Sequence, residues 1–280
     1  MRCPITTKVL NITLAKEIYQ IHTWSMGTNT KPTLLLLHGF PTSSTDYLPL
    51  AENLQKDFRL VAFDFLGFGR SQKSNLPNLS IRLQAEITQA VLRQYELSNP
   101  YLLAHDYGLT VAQELLARGE SFQKIILLNG GAYTHLHRPL LIQKLLRHSI
   151  LGPIVSRLGN KKIFLRNLTK VLRKPVPVAW LNEAWLDVSF NGGNKIFHRL
   201  IHYIGDRELN AERWAQALNT NQDKLIFIWG TLDPISGAHM LAYLQQELPH
   251  ATFHPLAVGH YPQWEALPET AQIVIEELLA

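Results

Sequence analysis

The chain has 280 residues, of which 46% are apolar and 18% charged. That is enough for one large α/β core with an insertion, and no disorder needs to be invoked. The formal charge of +5 conceals an asymmetry, because residues 138–174 hold ten Lys or Arg and no Asp or Glu while the remainder is net negative.

No Walker loop, zinc-finger spacing or aromatic RNA-binding signature accompanies that charge, so nucleic acid is not the expected partner. A single cysteine, Cys3, rules out an intramolecular disulfide and predicts a reducing compartment. Near a terminus it also lacks the oriented base of a catalytic thiol. The opening stretch MRCPITTKVLNITLAKE has no uninterrupted apolar h-region, and no run of about 18 apolar residues occurs anywhere. A soluble, cytoplasmic protein is expected.

In chain order, TLLLLHG (33–39), RLVAFDF (59–65), YLLAHD (101–106), KIILLNG (124–130), KLIFIWG (224–230) and ATFHPLA (251–257) read as strands. Most lack a period of two, as expected when helices cover both faces of a parallel sheet. Between and after them, SSTDYLPLAENLQ, SIRLQAEITQAVLRQYEL, LTVAQELLARG, HMLAYLQQEL and PETAQIVIEELL show helical spacing. Strand and helix alternate, which predicts an α/β fold with a mostly parallel central sheet flanked by helices.

One interval breaks the rhythm. From Thr134 to Arg213 the pieces PLLIQKLLRHSI, KKIFLRNLTKVLRK, VAWLNEAWLDV and NKIFHRLIHYI all read as helices. The expected organisation is a core of residues 1–133 and 214–280 with a helical cap, residues 134–213, inserted after the strand ending near Gly130. An insertion at the carboxyl end of a strand roofs the place where open α/β sheets bind ligands.

Three strand ends carry the chemistry. In AHDYG (104–108) a small-x-x-x-small frame surrounds Asp106 between a strand and a helix, the frame in which a strained backbone pushes one side chain into the pocket. Asp106 stands where a serine hydrolase has serine. TLDPIS puts Asp233 just beyond one strand, and VGHYPQWE puts His260 just beyond the last. The order nucleophile, acid, histidine is that of the α/β-hydrolase fold. HGF (38–40) supplies a backbone N–H at Phe40 that would pair with that of Tyr107 as an oxyanion hole. Asn129 occupies the alternative acid position, but an amide cannot stabilise an imidazolium as a carboxylate does, which leaves Asp233 as the orienting acid.

On HGFPTSSTDY, FDFLGFGRS, HDYGLTVAQELL, LNGGAY with HRPLLIQKLL, LDP and HYPQWE, the chain resembles the aspartate-nucleophile branch of the α/β-hydrolases, the epoxide hydrolases and haloalkane dehalogenases. The resemblance spans nearly the whole chain and implies the fold, the cap and the triad Asp106, Asp233 and His260 more firmly than a substrate.

A carboxylate attacking an ester carbonyl would make an anhydride, whereas at an sp³ carbon it makes an ordinary ester. Asp106 therefore argues for an alkyl-ester intermediate, hydrolysed by water that His260 deprotonates, with no metal or organic cofactor required. Related dehalogenases hold the halide with a tryptophan after the nucleophile; here Tyr107 stands there and Phe40 follows His38-Gly39, and both departures count against a halide. Epoxide hydrolases use a pair of cap tyrosines as proton donors. By that resemblance Tyr203 matches the later one, and Tyr133 is a positional candidate for the earlier. The expected activity is therefore conversion of a small lipophilic epoxide to a diol, with haloalkane dehalogenation or another hydrolysis as alternatives.

Other residues read as structural. His198 and His202 have metal-compatible spacing but no evident third ligand. Trp180 and Trp185 suit core or pocket wall, Asp64 a loop-stabilising carboxylate, and His38 a brace for the oxyanion loop. Two readings from other classes stay open: a non-catalytic lipophile-binding protein on the same fold, and peripheral contact of the basic cap segment 138–174 with an anionic membrane.

Overall fold

The computed structural model describes residues 4–73 and 79–280, so Cys3 lies outside the described residues. Eight strands form one sheet: β1 (Thr6–Leu14), β2 (Glu17–Met26), β3 (Thr33–Leu37), β4 (Arg59–Phe63), β5 (Tyr101–Ala104), β6 (Ile125–Leu128), β7 (Leu225–Gly230) and β8 (Thr252–Leu256). Their order is β1-β2-β4-β3-β5-β6-β7-β8. β2 pairs antiparallel with β1 and β4, and every other pairing is parallel.

The apolar runs explain the layers. Successive side chains leave a strand on opposite faces, so Leu34, Leu36, Ile126 and Ile228 pack with Leu50 and Val274 on one face, while Leu35, Leu37, Ile125 and Phe227 pack with Val91 and Leu109 on the other. The first face is covered by α1 (Leu48–Leu54) and, at the end of the chain, α13 (Leu267–Leu279); the second by α2 (Ile81–Gln94) and α3 (Tyr107–Ala117). With both faces buried, no polar alternation is possible in these strands.

β1 and β2 escaped the pattern reading for a physical reason. Their two-residue turn puts Ala15 and Lys16 at φ of 48° and 74°, a conformation that asparagine and glycine ordinarily signal. In addition β1 lies at the sheet edge with most of its residues exposed.

Between β6 and β7 the chain runs through α4 (Leu141–Arg147), α5 (Leu151–Leu158), α6 (Lys161–Leu168), α7 (Val178–Ser189), α8 (Phe197–Leu200), α9 (Tyr203–Leu209) and α10 (Ala211–Thr220). α10 returns to the core, where its Trp214 donates to Glu114 on α3 at 2.8 Å. The earlier helices build a core of their own, Phe164, Leu168, Ala184 and Val188, which closes on Ile235, Tyr261 and Trp264 in the segments that follow β7 and β8. The chain ends through α11 (Ala238–Glu247), α12 (Pro262–Glu265) and α13.

Candidate active site

Asp106 follows β5 and caps α3 with φ of 45° and ψ of −100°. For a residue with a Cβ this is strained backbone, held only because the surroundings fix it. Gly108 is needed two residues on, since a Cβ there would lie 2.3 Å from the Leu37 carbonyl oxygen. The turn is pinned by hydrogen bonds from the Asp106 amide to the Asn129 carbonyl (2.9 Å) and from the Gly108 amide to the His38 carbonyl (2.9 Å).

The strain aims the carboxylate at two groups. Asp106 Oδ1 accepts the Phe40 N–H at 3.0 Å, and Oδ2 lies 3.6 Å from His260 Nε2. On the far side of the ring, His260 Nδ1 meets Asp233 Oδ2 at 2.6 Å. Asp233 also accepts from the Ile235 amide and the Ser236 hydroxyl, both at 2.8 Å, and from Asn129 Nδ2 at 3.1 Å. The amide in the alternative acid position thus supports the carboxylate that is used.

Charge follows geometry. Burial disfavours an imidazolium, but the carboxylates of Asp233 and Asp106 outweigh it and push His260 up to about 10. Burial also disfavours ionised Asp106, and it is outweighed by the hydrogen bond and charge of His260 with help from Arg207, so its carboxyl falls below the usual range. The arrangement is two carboxylates around one imidazolium, each charge favoured by the others.

The loop carrying Phe40 is braced from below. His38 donates from Nδ1 to the Gly39 carbonyl (2.9 Å) and accepts the Phe65 amide at Nε2 (3.1 Å), and burial lowers its pKa, consistent with that neutral role. Asp64 accepts from the Ser44 amide (2.9 Å), the Ser44 hydroxyl (2.6 Å) and the Arg70 amide (2.7 Å).

Above these groups opens a cavity of about 880 Å³, counted to its open mouth. Asp106, His260 and Phe40 lie at its floor, and Leu146, Val155, Phe164, Leu168, Trp185 and Phe197 from the insertion line it. An apolar vault over three polar groups selects a lipophilic ligand and excludes bulk water. Trp180 instead packs against Trp264.

Not every candidate lines this cavity. Tyr203 is buried one ring behind the wall, 6.0 Å from Phe40 and 4.8 Å from Tyr107 between ring centroids, and its hydroxyl has no hydrogen-bond partner among the described residues. Tyr133 packs edge-on against Tyr243 and His135, away from the cavity lining. The Tyr107 ring points into the core against Phe65 and Phe68, so only its backbone can serve the site. Among the described residues, no group of three or more His, Cys, Asp or Glu could hold a metal ion.

Three contributors were not singled out by the sequence reading. Arg207, 1% exposed, reaches from α9 to Thr110 Oγ1 (2.7 Å) and to the Asp106 carbonyl oxygen (3.3 Å), with the Tyr203 ring 4.6 Å away. His105 contacts the His260 carbonyl at 2.9 Å through Nε2, and burial keeps it neutral, down to about 3. Glu265 collects the amides of Gly259 (3.1 Å), Arg173 (2.5 Å) and Lys174 (2.8 Å). A buried arginine and a solvated one look alike in a helical pattern, so Arg207 left no signal. Glu265 sits in the quoted HYPQWE and could have been weighed there.

With this geometry in place, comparison with known proteins is informative. Residues 32–152 match the α/β-hydrolase fold family. The chain is 40% identical over 250 residues to the mesoderm-specific transcript homolog protein of Bos taurus, covering 83% of this chain and 74% of that protein. The chain belongs to the α/β-hydrolase family. It is also 34% identical over 263 residues to the putative hydrolase LipZ of Mycobacterium tuberculosis, covering 90% of each. Among solved structures, haloalkane dehalogenase DbeA from Bradyrhizobium elkani superimposes with a TM-score of 0.80 at 18% identity, over 97% of this chain and 96% of that one. That likeness is one of fold.

Proposed function

We propose that this α/β-hydrolase converts a lipophilic epoxide to a diol through an alkyl ester on Asp106. The observation that carries the reading is a carboxylate at the strained strand-to-helix turn, with one oxygen on the Phe40 N–H and the other facing His260. Oδ1 already occupies the place of a carbonyl oxygen in an oxyanion hole, which leaves Oδ2 as the attacking atom.

In the first step Oδ2 forms a bond to an epoxide carbon, and the electrons of the broken C–O bond go to the epoxide oxygen. That oxygen takes a proton from water, the co-substrate of the hydrolysis; Tyr203, buried behind Phe40 and outside the cavity lining, is not placed to give one. Esterification removes one of the two carboxylates holding the imidazolium. His260 then releases its proton to the hydroxide so formed, and the neutral ring becomes a base.

In the second step His260 takes a proton from water as the water oxygen attacks Cγ of Asp106. The Phe40 and Tyr107 N–H groups hold the resulting oxyanion, a contribution of about 3 kcal/mol per donor. Collapse expels the diol alkoxide, which takes the carboxyl proton and leaves ionised Asp106 beside the imidazolium. One histidine is thus switched from cation to base by the chemistry at its neighbour.

The test is intact mass of His260→Gln after exposure to lipophilic epoxides and to haloalkanes. An adduct of whole-epoxide mass on Asp106 is expected. An alkyl-mass adduct would instead move the activity to dehalogenation, and no adduct from either class in the folded protein would overturn the alkyl-ester reading.

A further inference from the structure

The outer face of α4–α6 is unlike the rest of the surface. Along α5, Leu151, Ile154 and Leu158 are 41%, 47% and 68% exposed, and at i, i+3 and i+7 they form one apolar stripe. Leu141 and Ile150, at 72% and 70%, extend it towards α4. Large apolar side chains this exposed and this close in the chain mark an interaction surface rather than scattered surface residues.

The polar residues of this face are of one sign. Lys144, Arg157, Lys161, Lys162 and Arg166 are exposed, and no Asp or Glu occurs anywhere in residues 138–174. Arg147 is occupied by Glu208 of α9, at 3.1 Å and 3.2 Å to its two carboxylate oxygens. Apolar side chains flanked by unopposed lysine and arginine are complementary to a surface with negative charge above and hydrocarbon beneath. No helix among the described residues is long and apolar enough to cross a membrane, so the contact would be lateral.

The face also joins the cavity. Ile163 on α6 is 41% exposed and lines the cavity as well, while the buried side of α5 presents Ser156 to the interior. The same short helices therefore meet solvent on one side and the ligand space on the other.

We propose that the α4–α6 face docks on an anionic lipid surface and that the cavity mouth opens towards it, so that a lipophilic substrate enters from the bilayer. The docking does not rest on the ester chemistry; only the choice of lipophilic cargo rests on the reading above.

The experiment is flotation of the full chain with phosphatidylcholine vesicles, with and without phosphatidylserine, at low and high salt. Two surface variants accompany the wild type: Ile150→Glu with Leu158→Glu, and Lys161→Glu with Lys162→Glu. None of these four side chains lines the cavity, and thermal melts establish that both variants remain folded. The wild type is expected to float with phosphatidylserine vesicles and to lose this at high salt, and each variant to partition at least about tenfold less. Failure to float, equal partition onto neutral vesicles, or variants that float like wild type would overturn the proposal. Binding that is lost together with self-association, read by gel filtration, would reassign the face to a second copy of the chain. Adduct formation on Asp106, read separately, stays unchanged in the surface variants whichever way flotation turns out.

Discussion

The floor and the roof of the cavity are built by opposite means. At the floor, Asp106, Asp233, Asp64, His38 and His105 are all nearly or fully buried and each polar group is tied to others by hydrogen bonds. Over it, α4–α6 contribute mainly Leu146, Val155, Phe164 and Leu168, with an outer face of exposed leucine and isoleucine. Buried charges leave little freedom, because a missing partner costs several kcal/mol. An apolar wall tolerates exchange of shape at a smaller cost. On the proposed function, reaction and selection divide along the same line: the floor would fix the chemistry, and the roof would choose what reaches it.

The largest effect expected lies at the floor. Asp106→Asn should abolish turnover by at least about 10⁴-fold, as loss of a nucleophile does, measured with an epoxide the wild type hydrolyses; retained activity would break the division. The same variant sharpens it electrically. With one of its two carboxylates gone, the His260 imidazolium should titrate well below the wild-type value, by more than about one pH unit, in an NMR titration of the ring. An unchanged midpoint would mean that Asp106 does not hold the proton. The sign carries into the kinetics: the imidazolium cannot accept a proton, so ester hydrolysis should rise with pH through the lowered pKa of the alkyl-enzyme and then level off. Ester formation should stay flat across neutral pH, where Asp106 remains ionised. Single-turnover rates separate the two.

Asp64→Ala should lower stability by about 3 kcal/mol, because it orphans the buried amide and hydroxyl of Ser44 and the part-buried amide of Arg70, measured by urea unfolding. The roof follows. Val155→Phe should raise KM for long-chain epoxides by about tenfold while kcat for a short one moves less than about threefold. If kcat fell for both, the wall would be part of the machinery. The smallest effect belongs to Tyr203. Tyr203→Phe, behind the wall, should slow ester formation and ester hydrolysis about equally and by less than about tenfold; a selective loss of ester formation by about 10²-fold would make Tyr203 the proton donor.

How much of this was legible in the sequence follows the same line. The floor announces itself, since Asp106, Asp233 and His260 sit at the ends of apolar strands whose order the residue pattern gives. The Asp64 and His38 roles followed from their place after β4 and β3. The hairpin of β1 and β2 did not show, because Ala15 and Lys16 turn without the usual residues. The continuous pattern at 194–204 also hid a break, where a 3₁₀ segment ending at Ile196 gives way to α8 and α9. Arg207 was unreadable, since only the packing of α9 on the elbow makes its charge matter. Tyr203 was named by its resemblance to a cap tyrosine, whereas the structure buries it behind Phe40 and outside the cavity lining, a packing of three rings that no local rule assembles.

Glu265 gives the last lesson. Its carboxylate gathers the amide of Gly259, beside His260, together with those of Arg173 and Lys174 at the close of the α6 region, and the His260 amide itself donates to the Val171 carbonyl at 2.9 Å. The segment after α6 and the histidine's own loop are thus tied by shared hydrogen bonds, so a change that frees one is expected to loosen the other.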